Sequence, residues 1–331
     1  MERSKLDNVY SLSNKITRKE MVDLFSDYEG MAISSKSEPM KYYDIFTNKV
    51  RSDISILRDK CPLCDSKDFR HLFVKHGFDH LLCGSCDLIF TQQILNHSKI
   101  KFLEDGKEGD EYGKMKTQKV TNENDRKKFE IIFEQLEHFS EIKNIFDFGS
   151  QIGTFLDWAS KKYSVIGHEY HNGLRNTAKS KGHKVLNEDL ATISLEQEFD
   201  LITCWDYIDH VLNPRETVKN LGKYLKKGGL FFFAINNRDS LSARIMHKDS
   251  PMFIGPHHTM HYGIKQLQLL MKDFELLHAE SYVSELNWIS NWLNFKNPEY
   301  GNSSLMTELL EPNKICELGM GIKLNAIFRK N

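Results

Sequence analysis

The apolar positions of the chain change period several times, and those changes divide it. Phe129, Ile132, Phe133 and Leu136 recur at helical spacing and predict an amphipathic helix. Ile145, Phe146 and Phe148 then form a short apolar run, read as a buried strand, that enters a loop with Gly149 and Gly153. Phe155, Leu156 and Ala159 share the next helical face, with Trp158 alongside. The alternation continues. An apolar run from Tyr163 ends at Glu169, and a helix is predicted over 173–181. A short strand over 183–186 leads to Glu188, Asp189 and Leu190, and a buried strand over 199–204 ends at Trp205 and Asp206. Asn213-Pro214 predicts an N-cap with proline at the first helical position. Val218, Leu221 and Leu225 give that helix its apolar stripe, and Gly228-Gly229 its stop. Strands over 230–235, 274–282 and 321–329 and a helix around Leu267, Leu270 and Met271 complete the series, and no internal repeat is visible. Strands alternating with helices predict an α/β, doubly wound sheet covered on both faces.

The first part of the chain has a different rhythm. Thr17 and Glu20 have capping-box spacing ahead of Met21, Val22, Leu24 and Phe25, and a second helix is expected at 41–58; residues 1–57 read as a helical N-terminal arm. Residues 58–95 hold two short predicted strands, 69–74 and 78–82, between two cysteine pairs, and a third, 88–90, after the second pair. Residues 96–127 are polar, with an acidic run at 104–111, and read as a linker or flap. Residues 128–331 form the α/β domain. Two insertions, 240–265 and 286–318, are expected to build a lid with the arm, the second carrying Trp288, Trp292 and Phe295.

Composition narrows the class without choosing it. The 331 residues carry 45 basic and 46 acidic side chains, a net charge of −1, so nothing global draws the chain to nucleic acid or an anionic membrane. No apolar run approaches the ~20 residues that span a bilayer. The opening Met-Glu-Arg-Ser-Lys-Leu-Asp lacks the apolar core of a signal peptide, and the expected compartment is the cytoplasm.

Four of the six cysteines change the picture more. Cys61-Pro-Leu-Cys64 and Cys83-Gly-Ser-Cys86 are separated by 18 residues, the spacing at which two tight knuckles bring four thiolates onto one tetrahedral Zn2+. A closed shell leaves no position for water, so this zinc is expected to be structural. His71, His76 and His80 are surplus to that shell and are expected at the surface.

The strand–glycine loop–helix turn at 144–155 suits a ligand held against backbone N–H groups. Glu169, 20 residues beyond Gly149, is placed to accept hydrogen bonds from ribose hydroxyls.

With these elements in place, the chain resembles class I S-adenosylmethionine-dependent methyltransferases, and within them the bacterial group with a zinc ribbon ahead of a Rossmann-like catalytic domain. The ribbon resemblance rests on the two cysteine pairs and on Gly77-Phe78 through Asp87-Leu-Ile-Phe90-Thr91. The catalytic resemblance rests on Asp147-Phe-Gly149 with Gly153, on Glu169, on 199–210 with Asn213-Pro214, and on 225–230. It covers roughly residues 58–280. It implies that S-adenosylmethionine binds with Gly149, Gln151 and Gly153 at its methionine end and with Asp147 steadying the loop. Glu169 would take the ribose, Asp189 and Leu190 the adenine, and Trp205 and Asp206 would line the wall beside the sulfonium. Two positions depart from the pattern: Gln151 stands where a third glycine is usual, and Asp209-His210 replaces Glu-His.

A hydroxyl, amine or enolisable carbon must lose a proton as it is methylated, and histidine is the natural base near neutral pH. His210 follows the fourth strand of the sheet. The run Gly255-Pro-His257-His258-Thr-Met-His261-Tyr262 follows the fifth, and the resemblance aligns His258 with the histidine of that group. His258 is the favoured base and His210 the second. A metal on the three histidines lacks a carboxylate in the run.

The expected function is methyl transfer to a small molecule, a sugar, a nucleotide-linked sugar or a secondary metabolite, in carbohydrate or related biosynthesis. Nucleic acid and membrane are not expected as partners, and oligomeric state is left open. The alternatives are an RNA-base methyltransferase that reads its substrate through the ribbon, and an inactive cofactor-binding scaffold prompted by Gln151.

Overall fold

The computed structural model describes residues 42–44, 46–96, 119–188, 193, 195, 197–250, 252–253, 258–282, 286–297, 299 and 310–331. The capping box at Thr17, the acidic run at 104–111, Asp189, Leu190 and His257 lie outside them.

The expected helix at 41–58 is instead a set of short strands. β1 (Tyr43–Asp44) pairs antiparallel with β2 (Lys49–Val50), and β3 (Ser55–Leu57) follows. The Asp44 carboxylate accepts from the N–H groups of Phe46 and Thr47, and Asn48 takes a left-handed φ of 50°. A side chain that satisfies the turn in this way competes directly with helix formation.

Next come β4 (Phe69–Lys75), β5 (Phe78–Cys83), β6 (Ile89–Thr91) and β7 (Gln93–Leu95). β4, β5 and β6 form an antiparallel meander, and β7 pairs with β3. Helix α1 (Lys119–Phe139) begins nine residues before the expected domain boundary at 128.

The central sheet is built from β8 (Asn144–Phe148), β9 (Ser164–His168), β10 (Val185–Leu186), β11 (Phe199–Trp205), β12 (Leu225–Asn236), β14 (Phe274–Tyr282) and β15 (Lys323–Lys330). Their order is β10-β9-β8-β11-β12-β15-β14, parallel except for β15, which is antiparallel to both neighbours. Helices α2 (Thr154–Ala159), α3 (Asn172–Ser180) and α4 (Pro214–Lys223) connect the parallel strands. α4 ends before Gly228-Gly229. β12 already starts at Leu225, and its register against β11 jumps between Phe199 and Leu201. Phe146, Phe148, Phe231 and Phe233 lie on one buried face, and Ile145, Leu201 and Phe232 on the other beneath α1 and α2.

The chain steps outward from β8 in one direction through β9 and β10, then returns to β11 on its other side. A crevice opens at the carboxyl ends of the strands where the order reverses. Between β12 and β14 lie α5 (Leu241–Met246), β13 (Met260–His261) and α6 (Ile264–Leu270). β13 belongs to neither neighbour: it pairs antiparallel with β6 and makes the meander a four-stranded sheet. The expected lid segment 240–265 is thus pinned at this end to the cysteine-bearing module. Helices α7 (Leu286–Lys296) and α8 (Pro312–Glu317) complete the described structure. Among the described residues, no helix is long and apolar enough to cross a membrane.

Candidate active site

Two groups of side chains gather at the carboxyl ends of the parallel strands, where the strand order reverses. The first is made locally by β8, β9 and the loop between β8 and α2. Gly149 and Gly153 take left-handed φ angles of 84° and 82°, and Gln151 follows with 52°. The loop therefore keeps a glycine-like path at Gln151 although the residue has a Cβ. A Cβ at Gly149 would lie 2.4 Å from the Tyr207 ring, so this position is closed to any larger residue. The N–H groups of Gly149 and Ser150 both donate to the His168 carbonyl and tie the loop to the end of β9.

Glu169 is buried at the end of β9. One carboxylate oxygen accepts from the Gln151 N–H at 3.0 Å and the other from the His171 N–H at 2.8 Å, so the carboxylate bridges the loop and the start of α3. Burial raises its pKa against the pull of these two bonds. Each oxygen keeps acceptor capacity for a further donor. Asp147 lies beneath. Its Oδ1 accepts from the Thr203 hydroxyl at 2.7 Å, whereas Oδ2 and the Ser150 hydroxyl are buried with no hydrogen-bond partner among the described residues. Burial pushes the Asp147 carboxyl up to about 7. Asp206 has a φ of 50° and pairs with Lys323 at 2.6 Å. Trp205, expected on the cleft wall, is turned instead into the core with Phe129, Phe155 and Phe232. Its position at the end of β11 sends alternate side chains to opposite faces, and Trp205 falls on the face under α1.

The second group is assembled from distant parts of the chain. The Asp209 carboxylate is buried, and its Oδ2 meets His258 Nδ1 across 49 positions of sequence. His210 Nε2 lies 3.8 Å from the other oxygen. Burial works to raise the Asp209 carboxyl, but the two imidazoles overcome it and hold it well below the usual carboxylate range. The His210 and His258 rings are 4.7 Å apart, and Tyr207 stacks over His210 at 5.8 Å with planes 9° apart. Ligating atoms of Asp209, His210 and His258 all lie within 4.8 Å of one another. The carboxylate missing from the histidine run therefore comes from the end of β11. Its one sequence signal was the Asp209-His210 dipeptide after that strand. His261 is not part of this group. It is buried against His80 and Phe253, facing the cysteine module.

Residues 120–278 match a family model described as a methyltransferase domain. The match takes in just under half of the chain and runs from α1 into β14. Among curated proteins, it is similar to the ubiquinone biosynthesis O-methyltransferase of Coxiella burnetii, 29% identical over 105 residues, 29% of this chain and 45% of that protein. The enzyme of the same name from Bordetella avium is 34% identical over 89 residues, 27% of this chain and 35% of that one. The chain thus spans less than half the length of these relatives. Among solved structures, the plantazolicin methyltransferase BpumL in complex with a desmethyl analogue and S-adenosylhomocysteine has a TM-score of 0.46 at 18% identity, covering 71% of this chain and 99% of that one. A SAM-dependent methyltransferase from Archaeoglobus fulgidus has a TM-score of 0.45 at 17% identity, covering 63% and 94%.

Ahead of the matched residues, the four cysteines form one cluster. The ligating sulfurs of Cys61, Cys64, Cys83 and Cys86 lie within 4.8 Å of one another, and none is in a disulfide. The two knuckles repeat the same backbone pattern. The N–H groups of Cys61 and Cys83 donate to the carbonyls of Ser66 and Leu88, and those of Asp65 and Asp87 donate back to Cys61 and Cys83. Asp65 and Asp87 take matching left-handed φ angles of 60° and 59°. Four convergent sulfurs could hold one metal ion, and a cation would relieve the mutual repulsion of their thiolates. Of the three surplus histidines, His80 is not at the surface. It is fully buried on the inner face of β5 and stacks on Phe73 at 4.7 Å.

Proposed function

We propose that the chain transfers a methyl group from S-adenosylmethionine to the hydroxyl of a small molecule, with His258 as general base oriented by Asp209. The Asp209–His258 pair at the crevice beside the glycine loop carries this reading. The orphaned Asp147 and Ser150 oxygens, the spare acceptor capacity of Glu169 and the left-handed loop fit the proposed cofactor. When bound, it supplies an electrophilic methyl group. Gly149, Gln151 and Gly153 border its methionine end over Asp147, and Glu169 accepts from its ribose hydroxyls. Asp189 and Leu190 take the adenine, and Asp206 lines the side of the cleft beyond the end of β11.

His258 Nδ1–H donates to Asp209, which leaves Nε2 free to receive the proton of the acceptor hydroxyl. The buried carboxylate steadies the imidazolium that results. His210, next to both, is the second candidate. The name of the curated relatives supports an oxygen acceptor. A sugar, nucleotide-linked sugar or secondary metabolite fits a lid of two insertions, which Asp249 ties together through Trp292 Nε1 at 3.1 Å and Lys296 at 2.9 Å. Four thiolates in two knuckles favour a structural Zn2+ in the ribbon.

Calorimetry with S-adenosylmethionine should show saturable binding. No detectable binding would remove the enzymatic reading. Turnover on a panel of sugars, nucleotide sugars and phenols identifies the acceptor class. A second reading follows from the ligand spacing of Asp209, His210 and His258, which could seat a divalent cation. Activity that persists in a chelator too weak to strip the four-thiolate site supports the base, and activity restored only by added Mg2+ or Mn2+ supports the cation.

A further inference from the structure

Arg58 stands at the entrance to the ribbon and is buried. Its guanidinium reaches the Thr91 carbonyl at 3.0 Å, the Thr259 carbonyl at 3.3 Å and the Thr259 hydroxyl at 3.4 Å. These acceptors are neutral, and among the described residues it has no carboxylate partner. Burying a charge on neutral groups alone is costly. Two of the three belong to the residue after His258.

Thr259 is gripped from both sides. Its carbonyl also accepts from the Thr91 N–H at 3.0 Å, on ribbon strand β6. Its own N–H donates to the Asp209 carbonyl at 3.0 Å. β13 then continues the grip, with Met260 opposite Phe90 and His261 opposite Ile89. Just beyond, Gln266 donates to the Cys86 carbonyl at 2.9 Å, and Lys265 pairs with Asp87 at 2.6 Å, both at the second knuckle. The ribbon therefore holds the chain from Thr259 to Gln266, immediately after His258.

We propose that the ribbon is part of the catalytic apparatus: Arg58 and strand β6 are positioning groups that fix Thr259, and through it the approach of His258 to Asp209. The inference rests on the base reading given above and extends it to the ribbon. It predicts an effect on the dyad with the cofactor loop left intact, since that loop is held by β8 and β9.

The test uses the full-length protein and needs no acceptor. A proton between His258 Nδ1 and a buried carboxylate gives a far-downfield proton NMR resonance, assigned by its loss in His258→Asn. In Arg58→Gln this resonance should broaden or vanish. Amide exchange across 258–263 should accelerate at least about 10-fold, while metal content and S-adenosylmethionine affinity stay within about two-fold of wild type. Arg58→Lys, which keeps a charge that can reach one carbonyl, should restore part of both signals. Removing the ribbon metal with a strong chelator should accelerate the same amides. A sharp resonance with unchanged exchange in Arg58→Gln would overturn the inference. Absence of the resonance in wild type would count against the dyad itself, and the exchange measurement would still decide the positioning claim. If Arg58→Gln fails to fold, Thr259→Val removes only the hydroxyl, and exchange across 258–263 should still rise measurably; no rise would count against the proposal.

Discussion

The proposed cofactor side and the proposed base side of the crevice sit on the same sheet edge but are made in opposite ways. The cofactor side is local. Gly149, Gln151 and Glu169 lie within one strand–helix–strand unit, and backbone N–H groups set its geometry. The other side joins Asp209 to His258, and Thr259, the next residue, links Asp209 to Thr91 and Arg58 in the ribbon. The electrostatics diverge as well. Asp147 and Asp209 are both buried carboxyls, one inside the end of β8 and the other in the connection after β11. Asp147 has only a hydroxyl donor and is pushed up to about 7, whereas Asp209 has two imidazoles and is held below the usual range. Burial alone therefore does not decide the state of a carboxyl on this edge; the partner does.

The largest expected effect falls on the base side. His258→Asn should lower turnover by about 10²–10⁴-fold, the usual contribution of a general base, with cofactor affinity unchanged by calorimetry. Asp209→Asn should approach the same loss, because it removes the group that orients the ring. If turnover survives in His258→Asn and falls in His210→Asn, the roles of the two histidines exchange.

That contrast also explains what could be read from the chain. The path of the glycine loop was legible because its residues are close in sequence and each strand announces itself by an apolar run ending in glycine or an acid. The sheet was legible for the same reason. The Asp209–His258 pair was not, because its members lie on different connections and neither carries a periodic signal. The helix expected at 41–58 failed because the Asp44 side chain closes a turn that the apolar spacing does not register. His80 was read as exposed because its burial depends on β13 covering β6, a pairing between residues 170 positions apart.

The two buried carboxyls give the next largest contrast. The Asp147 carboxyl binds a proton more tightly folded, with its value near 7, than unfolded, where it titrates in the ordinary range near 3.8. The folded state therefore holds more protons between those values, and its contribution to stability falls as pH rises through that window. The expected loss is on the order of 2–4 kcal/mol, and Asp147→Asn should flatten it in denaturant melts from pH 4 to 8. Asp209 runs the other way. Its stabilisation is present above the ordinary carboxylate range and is lost as pH falls toward its depressed folded value, so Asp209→Asn should blunt the acid limb.

Glu169→Gln probes the cofactor side alone. It keeps one oxygen acceptor and loses the charge that backbone N–H groups and ribose hydroxyls both favour. The expected cost is about 1.5–3 kcal/mol in S-adenosylmethionine binding, roughly 10- to 100-fold in Kd. Exchange across 258–263 should not move. Coupled loss at both places would show that the crevice behaves as one unit instead of two.

The smallest effect is expected at Gln151, where the sequence departs from the usual glycine. Its φ of 52° is one that a residue with a Cβ adopts at a cost of about 1 kcal/mol. Gln151→Gly relieves that cost, but it also frees the unfolded chain by about 0.5–1 kcal/mol, so the two terms nearly cancel. The loop path is already that of a glycine, and the N–H bonded to Glu169 stays in place. Thermal stability should therefore change by less than about 1 kcal/mol, and cofactor affinity should hold or rise by no more than a few-fold. A large gain in affinity would mean that the Gln151 side chain occupies the methionine end of the site. A large loss would mean that the side chain itself holds the cofactor, and that this loop achieves with an amide what a third glycine achieves with space.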